Sequence, residues 1–463
     1  MKIKSILFNF ENILLIFWVG CLLSINSKIS DLYVDNKNYF NTTIVFLRIA
    51  IPVLVFSILI FFLKIKKLNL FILSYLIYAV WQLIAYTPSK EYIIDNLERY
   101  HLILSMIAIL LIIHVAEYFK FEKFYIKIFY CSIFFIGSIS LYLSFFIFID
   151  FIINPKMVYL YWNNTLISEG RNLLQTNPRI TGVSRMLGLL LLFIFSLYIC
   201  KKKIFNNFIF ISTIFIISLL LYGMQSKGSY ISILVLLFFY IFFFKDKIKK
   251  KLFIFFIIIV LPIISFETII KLKIETFKVN NAESRFLSNN SLAESRFLSN
   301  NSLVVDGKII QDYTTGRVEI WKRAFKEIKE KKIFFGYGPQ ADRLLLKSIN
   351  FDPKIPRHFY DSNASNGFVY AYLCAGIIGL LFMLTIYTLM FREIYRSIII
   401  KKAFVKKNTY VLFSIFTLTF LSLRTLYENG FTYFGVDYVF SIISYFILRK
   451  FNSEQSRENY SIF

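Results

Sequence analysis

Arg317 is a cation at the predicted start of a helix, which is a setting that favours the binding of an anion. It follows Thr314-Thr315-Gly316 and opens a stretch, ending near Lys332, with helical spacing of apolar residues. A threonine cap precedes this stretch, and the predicted apolar face comprises Val318, Trp321, Phe325 and Ile328. A cation in the first turn opposes the helix dipole unless an anion lies there. The pattern predicts a pyrophosphate-binding helix start, and the alternative is an exposed arginine in a loop.

Three further arginines, Arg48, Arg185 and Arg424, lie in or near apolar runs, and Glu428 follows one turn after Arg424. A charge at the centre of a membrane-spanning helix costs about 2.5–3.5 kcal/mol on insertion scales, so such residues usually face a cavity or a partner. For Arg185 and Arg424 the alternative is a side chain that reaches the membrane surface from a helix end. An Arg424–Glu428 pair within one helix is a further alternative.

The elements that must position these residues belong to a polytopic membrane protein. The chain has 463 residues, of which 57% are hydrophobic, more than a soluble protein exposes without aggregating. We predict an all-α fold with about twelve transmembrane helices. The expected spans are residues 6–25, 43–63, 68–86, 102–118, 124–149, 183–200, 204–222, 229–244, 252–270, 366–391, 410–427 and 433–448.

The basic residues predict the orientation of these spans. The net charge of +25 resides mainly in clusters between apolar runs, which favours anionic lipid headgroups over nucleic acid as the partner. If the chain starts in the cytoplasm and crosses twelve times, every dense basic cluster falls on the cytoplasmic side. Both termini are then cytoplasmic, and the long polar stretch faces outward.

This division gives three parts. Residues 1–270 form an N-terminal membrane part with about nine spans. Residues 271–365 form a large, mainly helical extracytoplasmic loop, and residues 366–463 form a C-terminal membrane part with about three spans and a cytoplasmic tail. Within the loop, Ala282–Leu292 is repeated without change as Ala293–Leu303. We interpret this as a slipped duplication in a tolerant region, with a functional repeat as the alternative.

Several short motifs, taken in order, resemble the O-antigen ligase and O-antigen polymerase superfamily of bacterial membrane glycosyltransferases. Six segments of this chain are similar to segments that recur in the family. Arg179-Ile180-Thr181-Gly182 is similar to its Arg-x-x-Gly, Ser226-Lys227-Gly228 to its Ser-Arg-Gly, and Gly316-Arg317 with Trp321 to its Gly-Arg-x-x-x-Trp. Gly336-Tyr337-Gly338 is similar to its Gly-x-Gly, Ser365-Asn366 with Gly376-Ile377-Ile378-Gly379 to its His-Asn with Gly-Ile-Ile-Gly, and Arg424 with Glu428 to its Arg/Glu segment. The resemblance covers the second half of the chain, and the first five spans contribute no specific signal.

The resemblance implies transfer of a glycan from an undecaprenyl-pyrophosphate carrier to a hydroxyl acceptor, with neither metal nor cofactor. Arginines then stabilise the departing diphosphate. We expect Arg317 and Arg179 in catalysis and pyrophosphate binding, helped by four further cations: Arg185, Lys227, Arg48 and Arg424. The general base is left open among three candidates: His358, Asp361 and Glu428.

Ser365 stands where the ligases of the family have a histidine, which favours polymerisation of oligosaccharide repeat units. The alternatives are a ligase, for which His358 would substitute, and a flippase, although internal repeats typical of transporters are not evident. The implied location is the bacterial inner membrane. The implied partners are the lipid-linked oligosaccharide, a glycan or lipid acceptor, membrane lipids and a chain-length regulator, with no nucleic acid.

Overall fold

The computed structural model describes most of the predicted membrane part and portions of the loop. The described residues are 2–25, 39–86, 93–121, 123–153, 180–200, 207–223, 227–243, 248–269, 302–305, 308–311, 317–331, 333–347, 364, 366–400 and 408–460.

Nearly all regular structure in these ranges is helical, with one small hairpin. The α-helices are α1 (Lys2–Leu23), α2 (Tyr39–Leu59), α3 (Leu70–Ile84), α4 (Ile93–Tyr118), α5 (Phe124–Ile153), α6 (Ile180–Ile199), α7 (Asn207–Gly223), α8 (Lys227–Phe243), α9 (Ile248–Phe255), α10 (Arg317–Glu330), α11 (Ala341–Lys347), α12 (Gly367–Tyr395), α13 (Thr409–Thr425) and α14 (Val436–Tyr460). Short 3-10 helices occupy Ile60–Phe62, Ile65–Lys67 and Gly430–Thr432, and π-helical turns extend α9 through Phe256–Val260 and α12 through Arg396–Ile400.

Each of the twelve predicted spans falls on one of these helices, which confirms the helical class. Five helical segments in the described part are long and apolar enough to cross a membrane: residues 99–118, 124–144, 182–199, 250–269 and 367–399. Six further apolar helices there are shorter than that criterion. The chain is therefore a membrane protein, and the number of twelve crossings stays a prediction.

Contacts at one end of the bundle join segments that were predicted to be cytoplasmic; we call it the basic end. There Lys64 donates to the hydroxyl of Tyr118 over 2.8 Å, and Arg449 pairs with Glu117 at 3.3 Å. The start of α5 reaches α1 through the Lys127–Glu11 ion pair, at 3.0 Å. The structure thus brings these segments to one end of the bundle, while their cytoplasmic location stays a prediction.

The described part of the long loop packs against the first turns of α12. Ile320 and Ala324 of α10 and Ala341 of α11 share a buried apolar cluster with Leu373 and Cys374. The buried face of α10 is therefore centred on Ile320 and Ala324. The prediction that Phe325 belongs to this face is wrong, because its side chain is 59% exposed.

The loop also contains a two-stranded antiparallel hairpin that we did not predict. Strands β1 (Ser302–Val305) and β2 (Lys308–Gln311) pair with Ser302 opposite Gln311 and Val305 opposite Lys308. The β-branched runs flank Asp306-Gly307, a dipeptide that favours two-residue hairpin turns. The loop is thus not purely helical, and its last copy of the eleven-residue repeat ends inside β1.

Candidate active site

The sequence motifs converge at the end of the bundle opposite the basic end; we call it the motif end. It comprises the starts of α6, α8, α12 and α14 and the end of α13. Ser184 of α6 lies 3.4 Å from Ser229 of α8, oxygen to oxygen. Asn366, just before α12, donates through Nδ2 to the carbonyl of Leu426, just after α13, over 2.8 Å. Segments that carry the motifs, or directly follow them in sequence, therefore share one polar region.

Arg185 of α6 is paired with Asp437 of α14, and the distance from Nη1 to Oδ2 is 3.2 Å. Asp437 is fully buried, whereas Arg185 keeps a small exposed fraction. The carboxylate also lies in the first turn of α14, where the helix dipole favours a negative charge. Arg185 is thus held in place by an oppositely charged neighbour, and its Nε is buried without a partner among the described atoms.

Arg424 is buried within the helices rather than reaching the membrane surface. Its side chain is 1% exposed, its Nη1 donates to the hydroxyl of Ser229, and its guanidinium lies over the ring of Phe420 at 5.7 Å. Its backbone carbonyl accepts from the N–H of Glu428 over 2.8 Å. In this arrangement Arg424 ties the end of α13 to the start of α8.

Lys227 is the first residue of α8, so a cation opens this helix as Arg317 opens α10. The next residue, Gly228, leaves room for the ring of Tyr427, whose hydroxyl donates to the Gly228 carbonyl over 2.6 Å. A side chain at position 228 would collide with that ring. The Ser-Lys-Gly motif therefore ends in a close contact between α8 and the segment after α13.

The start of α12 is fixed by Asn366, the asparagine of the predicted motif. Its Oδ1 accepts from the backbone N–H groups of Phe368 and Val369 at 2.9 and 3.1 Å, which caps the helix. Gly367 packs against Thr425 and Thr432. This cap and the contact of Asn366 with Leu426 fix the first turn of α12 at the motif end.

The predicted helix start at Arg317 is confirmed, since α10 begins at that residue. One turn later, the indole N–H of Trp321 donates to the carbonyl of Ala364 over 3.0 Å. The N–H of Ala364 in turn donates to Asp342 Oδ2 over 2.8 Å, and Asn429 donates to the same oxygen at 3.4 Å. The buried carboxylate of Asp342 thus connects the loop to the segment between α13 and α14.

The sequence predicts a tight turn at Gly336-Tyr337-Gly338-Pro339, after the amphipathic helix. In the structure this turn is built into a break in α12. Gly376 has φ +63 and interrupts the helix. The carbonyls of Leu373 and Cys374 accept from the N–H groups of Tyr337 and Gly338 at 3.0 and 2.8 Å. The N–H of Ile377 donates to the Phe334 carbonyl over 3.1 Å. The loop therefore satisfies backbone groups that the break exposes, as a low-dielectric setting requires.

Two glycines in one apolar run predict close helix packing at Gly376 and Gly379. For Gly376 this prediction is wrong, because the residue serves the break in the helix. Its positive φ is costly for residues with a side chain, and a β-carbon would overlap the Phe334 carbonyl. A β-carbon at Gly379 would lie 3.4 Å from the ring of Tyr78 in α3, which is an ordinary contact. It would collide instead with the β-carbon of Ala375 at 2.4 Å and the carbonyl of Ala371 at 2.7 Å, both in α12. The two glycines of one motif thus serve different structural purposes.

Arg99, at the start of the apolar part of α4, holds the same turn from the other side. Its Nε donates to the Pro339 carbonyl over 2.6 Å, and its Nη2 donates to the Tyr337 carbonyl over 3.2 Å. The guanidinium lies over the ring of Tyr86 at 4.7 Å.

Some predicted site residues cannot be placed. Arg179, His358, Asp361 and Ser365 lie outside the described residues. Arg48 lies within α2, but its side chain, like those of Lys227 and Arg317, is outside the described part. Their roles stay predictions.

Three buried charged residues at or beside the motif end were missed: Arg99, Asp342 and Asp437. Each lies at the start of a helix or of its apolar part. The signal that could have found them is that a charge beside an apolar run usually faces a partner or a cavity.

Comparison with known proteins finds a family match for the middle of the chain. Residues 211–384 match the family described as O-antigen ligase, a segment that runs from α7 into α12. The match confirms the predicted resemblance to the O-antigen ligase and polymerase superfamily. No curated protein matches the chain.

Proposed function

We propose that this membrane protein, whose residues 211–384 form an O-antigen ligase family domain, polymerises lipid-linked oligosaccharide repeat units. The observation that carries the proposal is the meeting of the motif segments at one end of the bundle, where Asn366 contacts Leu426 and Arg185 contacts Asp437. A membrane enzyme acting on a lipid-borne pyrophosphate needs its cations at one level of the bundle.

The reaction requires a cationic site for the leaving group. The acceptor hydroxyl attacks the anomeric carbon, the bond from that carbon to the pyrophosphate oxygen breaks, and a base takes the hydroxyl proton. Arg317 and Lys227 open helices whose free N–H groups favour an anion, and Arg179 precedes α6. We assign the departing diphosphate to these three residues, with Arg185 in support.

Arg48 and Arg424 have weaker roles in this proposal. Arg424 is buried and donates to Ser229, so it acts by holding α8 against α13. Arg48 remains a candidate cation of the site. His358, Asp361 and Glu428 remain the candidate bases.

Polymerisation is favoured over ligation because Ser365 stands where ligases of the family have histidine. Ligation is the second candidate, because the matched family is described as O-antigen ligase and His358 lies seven residues upstream of Ser365 in the chain. A flippase is the third, on the ground of the helix number alone. For all three, we place the protein in the bacterial inner membrane with cytoplasmic termini and an outward-facing loop.

The glycan banding of a deletion strain tests these functions. A polymerase is expected to leave a single repeat unit attached to the lipopolysaccharide core or capsule anchor. Finished polymer that remains on the lipid carrier would instead identify a ligase, and repeat units trapped inside the cell would identify a flippase. Complementation with the unaltered gene must restore the original banding.

A further inference from the structure

Arg99 lies within the first five predicted spans, which contribute no motif, yet it contacts the loop directly. It is 3% exposed, and it binds the carbonyls of Tyr337 and Pro339, which are 238 and 240 residues away in sequence. Two charge-assisted hydrogen bonds from one planar guanidinium fix both the position and the orientation of the turn.

The same turn also contacts α3, Tyr86 and α12, and these contacts restrict its backbone. Trp81 of α3 donates through its indole N–H to the Phe335 carbonyl over 3.1 Å. The backbone of Gly338 lies so close to Tyr86 that a β-carbon would come within 2.6 Å of the Tyr86 Cα. The broken part of α12 binds the turn from a third direction. The turn is therefore a joint between α3, α4, α12 and the loop.

A short series of contacts leads from this joint to Arg317. Pro339 is followed within three residues by Asp342, whose carboxylate accepts from the N–H of Ala364. The carbonyl of Ala364 accepts from the indole of Trp321, and Trp321 is one turn from Arg317. A second connection is α10 itself, which is 14 residues long and ends at Glu330, with five residues between it and the turn that begins at Gly336.

Because α10 is long, a small shift of the turn near its C-terminal end produces a large shift of Arg317 at its N-terminal end. At 1.5 Å per residue the helix is about 21 Å long, so a tilt of about 10° at its base displaces Arg317 by about 3–4 Å. A misplacement of about 1 Å in a catalytic group can lower a rate about 100-fold. A small change at the base of α10 therefore has a large effect at its start.

We propose that Arg99 is a positioning residue for the transferase reaction: by fixing the Gly336–Pro339 turn on α3 and α12, it sets where Arg317 stands. This inference rests on the proposed role of Arg317 in holding the diphosphate. Arg99 itself does not contact the substrate. Its removal therefore lowers kcat by at least about tenfold and changes KM little, because bound substrate meets a displaced cation.

A thiol-labelling experiment tests the joint without measuring activity. Cys374 is fully buried beneath the turn, so a maleimide reaches it only when the turn is released. In a background with Cys21→Ser, Cys131→Ser and Cys200→Ser, Arg99→Gln is expected to speed labelling of Cys374 at least about tenfold, and Arg99→Lys less. The matched control is Arg449→Gln, which removes an arginine that pairs with the other end of α4, at Glu117. Equal labelling rates in Arg99→Gln and the control would overturn the proposal.

A double-mutant cycle separates the two hypotheses. If Arg99 acts through Arg317, the effect of Arg99→Gln on kcat shrinks several-fold in an Arg317→Lys background, because the cation there is already misplaced. Full activity of Arg317→Lys and Arg317→Ala would contradict the proposed function and leave the labelling result intact. Additive effects of Arg99→Gln and Arg317→Lys would contradict the positioning role alone.

Discussion

Arg185 and Asp437, which are 252 residues apart in sequence, form an ion pair at 3.2 Å between two helices. The pair connects α6, which follows the Arg-x-x-Gly motif, to α14, the last helix. Because Asp437 is fully buried, its carboxylate requires a cation to offset the loss of hydration, and the pair in turn fixes the orientation of the Arg185 side chain. The charge that was predicted to serve pyrophosphate binding is thus already engaged by a carboxylate.

We expect Arg185→Ala to destabilise the protein by about 3–5 kcal/mol, because it leaves a buried carboxylate without its cation. Melting of the purified protein in detergent measures this. The double variant Arg185→Met/Asp437→Leu is expected to recover most of the stability but none of the activity. Recovery of activity as well would mean that Arg185 serves only the fold.

Arg317→Ala is expected to abolish long-chain glycan while the protein still inserts into the membrane. Loss of one group that stabilises a developing negative charge typically lowers kcat about 100- to 1,000-fold, and Arg317→Lys should restore only part of it because the planar fork is lost. Glycan length and membrane-fraction immunoblots give the readouts. Lys326→Ala, an exposed position on the same helix, is the matched control. Normal chain lengths in Arg317→Ala would refute the assignment.

Replacement of His358 by alanine distinguishes polymerase from ligase. A polymerase in which Ser365 has taken the place of the histidine should tolerate His358→Ala with little change in glycan banding. Complete inactivity, with normal amounts of protein in the membrane, would support the ligase and make His358 the leading candidate base.

Gly376→Ala is expected to release the turn from α12. The backbone conformation itself costs about 1–2 kcal/mol for a residue with a β-carbon, and overlap with the Phe334 carbonyl adds to this cost. A lower melting temperature and faster labelling of Cys374 should appear together. Gly435→Ala, whose β-carbon would meet its nearest atom at 3.7 Å, is the control. An unaltered melting temperature in Gly376→Ala would show that the break in α12 is dispensable.

Deletion of one copy of the eleven-residue repeat should be tolerated. Removal of Ala282–Leu292 retains the second copy and therefore the residues of β1, so chain-length distribution is expected to stay normal. Deletion of the eleven residues 304–314, which removes most of the hairpin, serves as the comparison and is expected to reduce polymer. Loss of activity after the first deletion would assign a function to the duplication.

The helices were predictable because burial in lipid demands long apolar runs, and each predicted run coincides with a helix. The start of α10 at Arg317 was predictable from a local pattern of glycine and apolar spacing. The contacts of Arg99 were not, because they join residues about 240 positions apart and leave no periodic trace. The exposure of Phe325 shows the same limit, since the approach of α12 decides which side of an amphipathic helix is covered.

The break at Gly376 divides α12 between two structural units. Its first turns, through Leu373 and Cys374, share an apolar cluster with α10 and α11, while the residues beyond Gly376 are numerous enough to cross a bilayer. A loop fragment that ends at residue 365 would lack the helical turns against which the loop packs. Chimaeras that exchange loops between related proteins should therefore place the junction after Gly376, so that each loop carries its own docking helix.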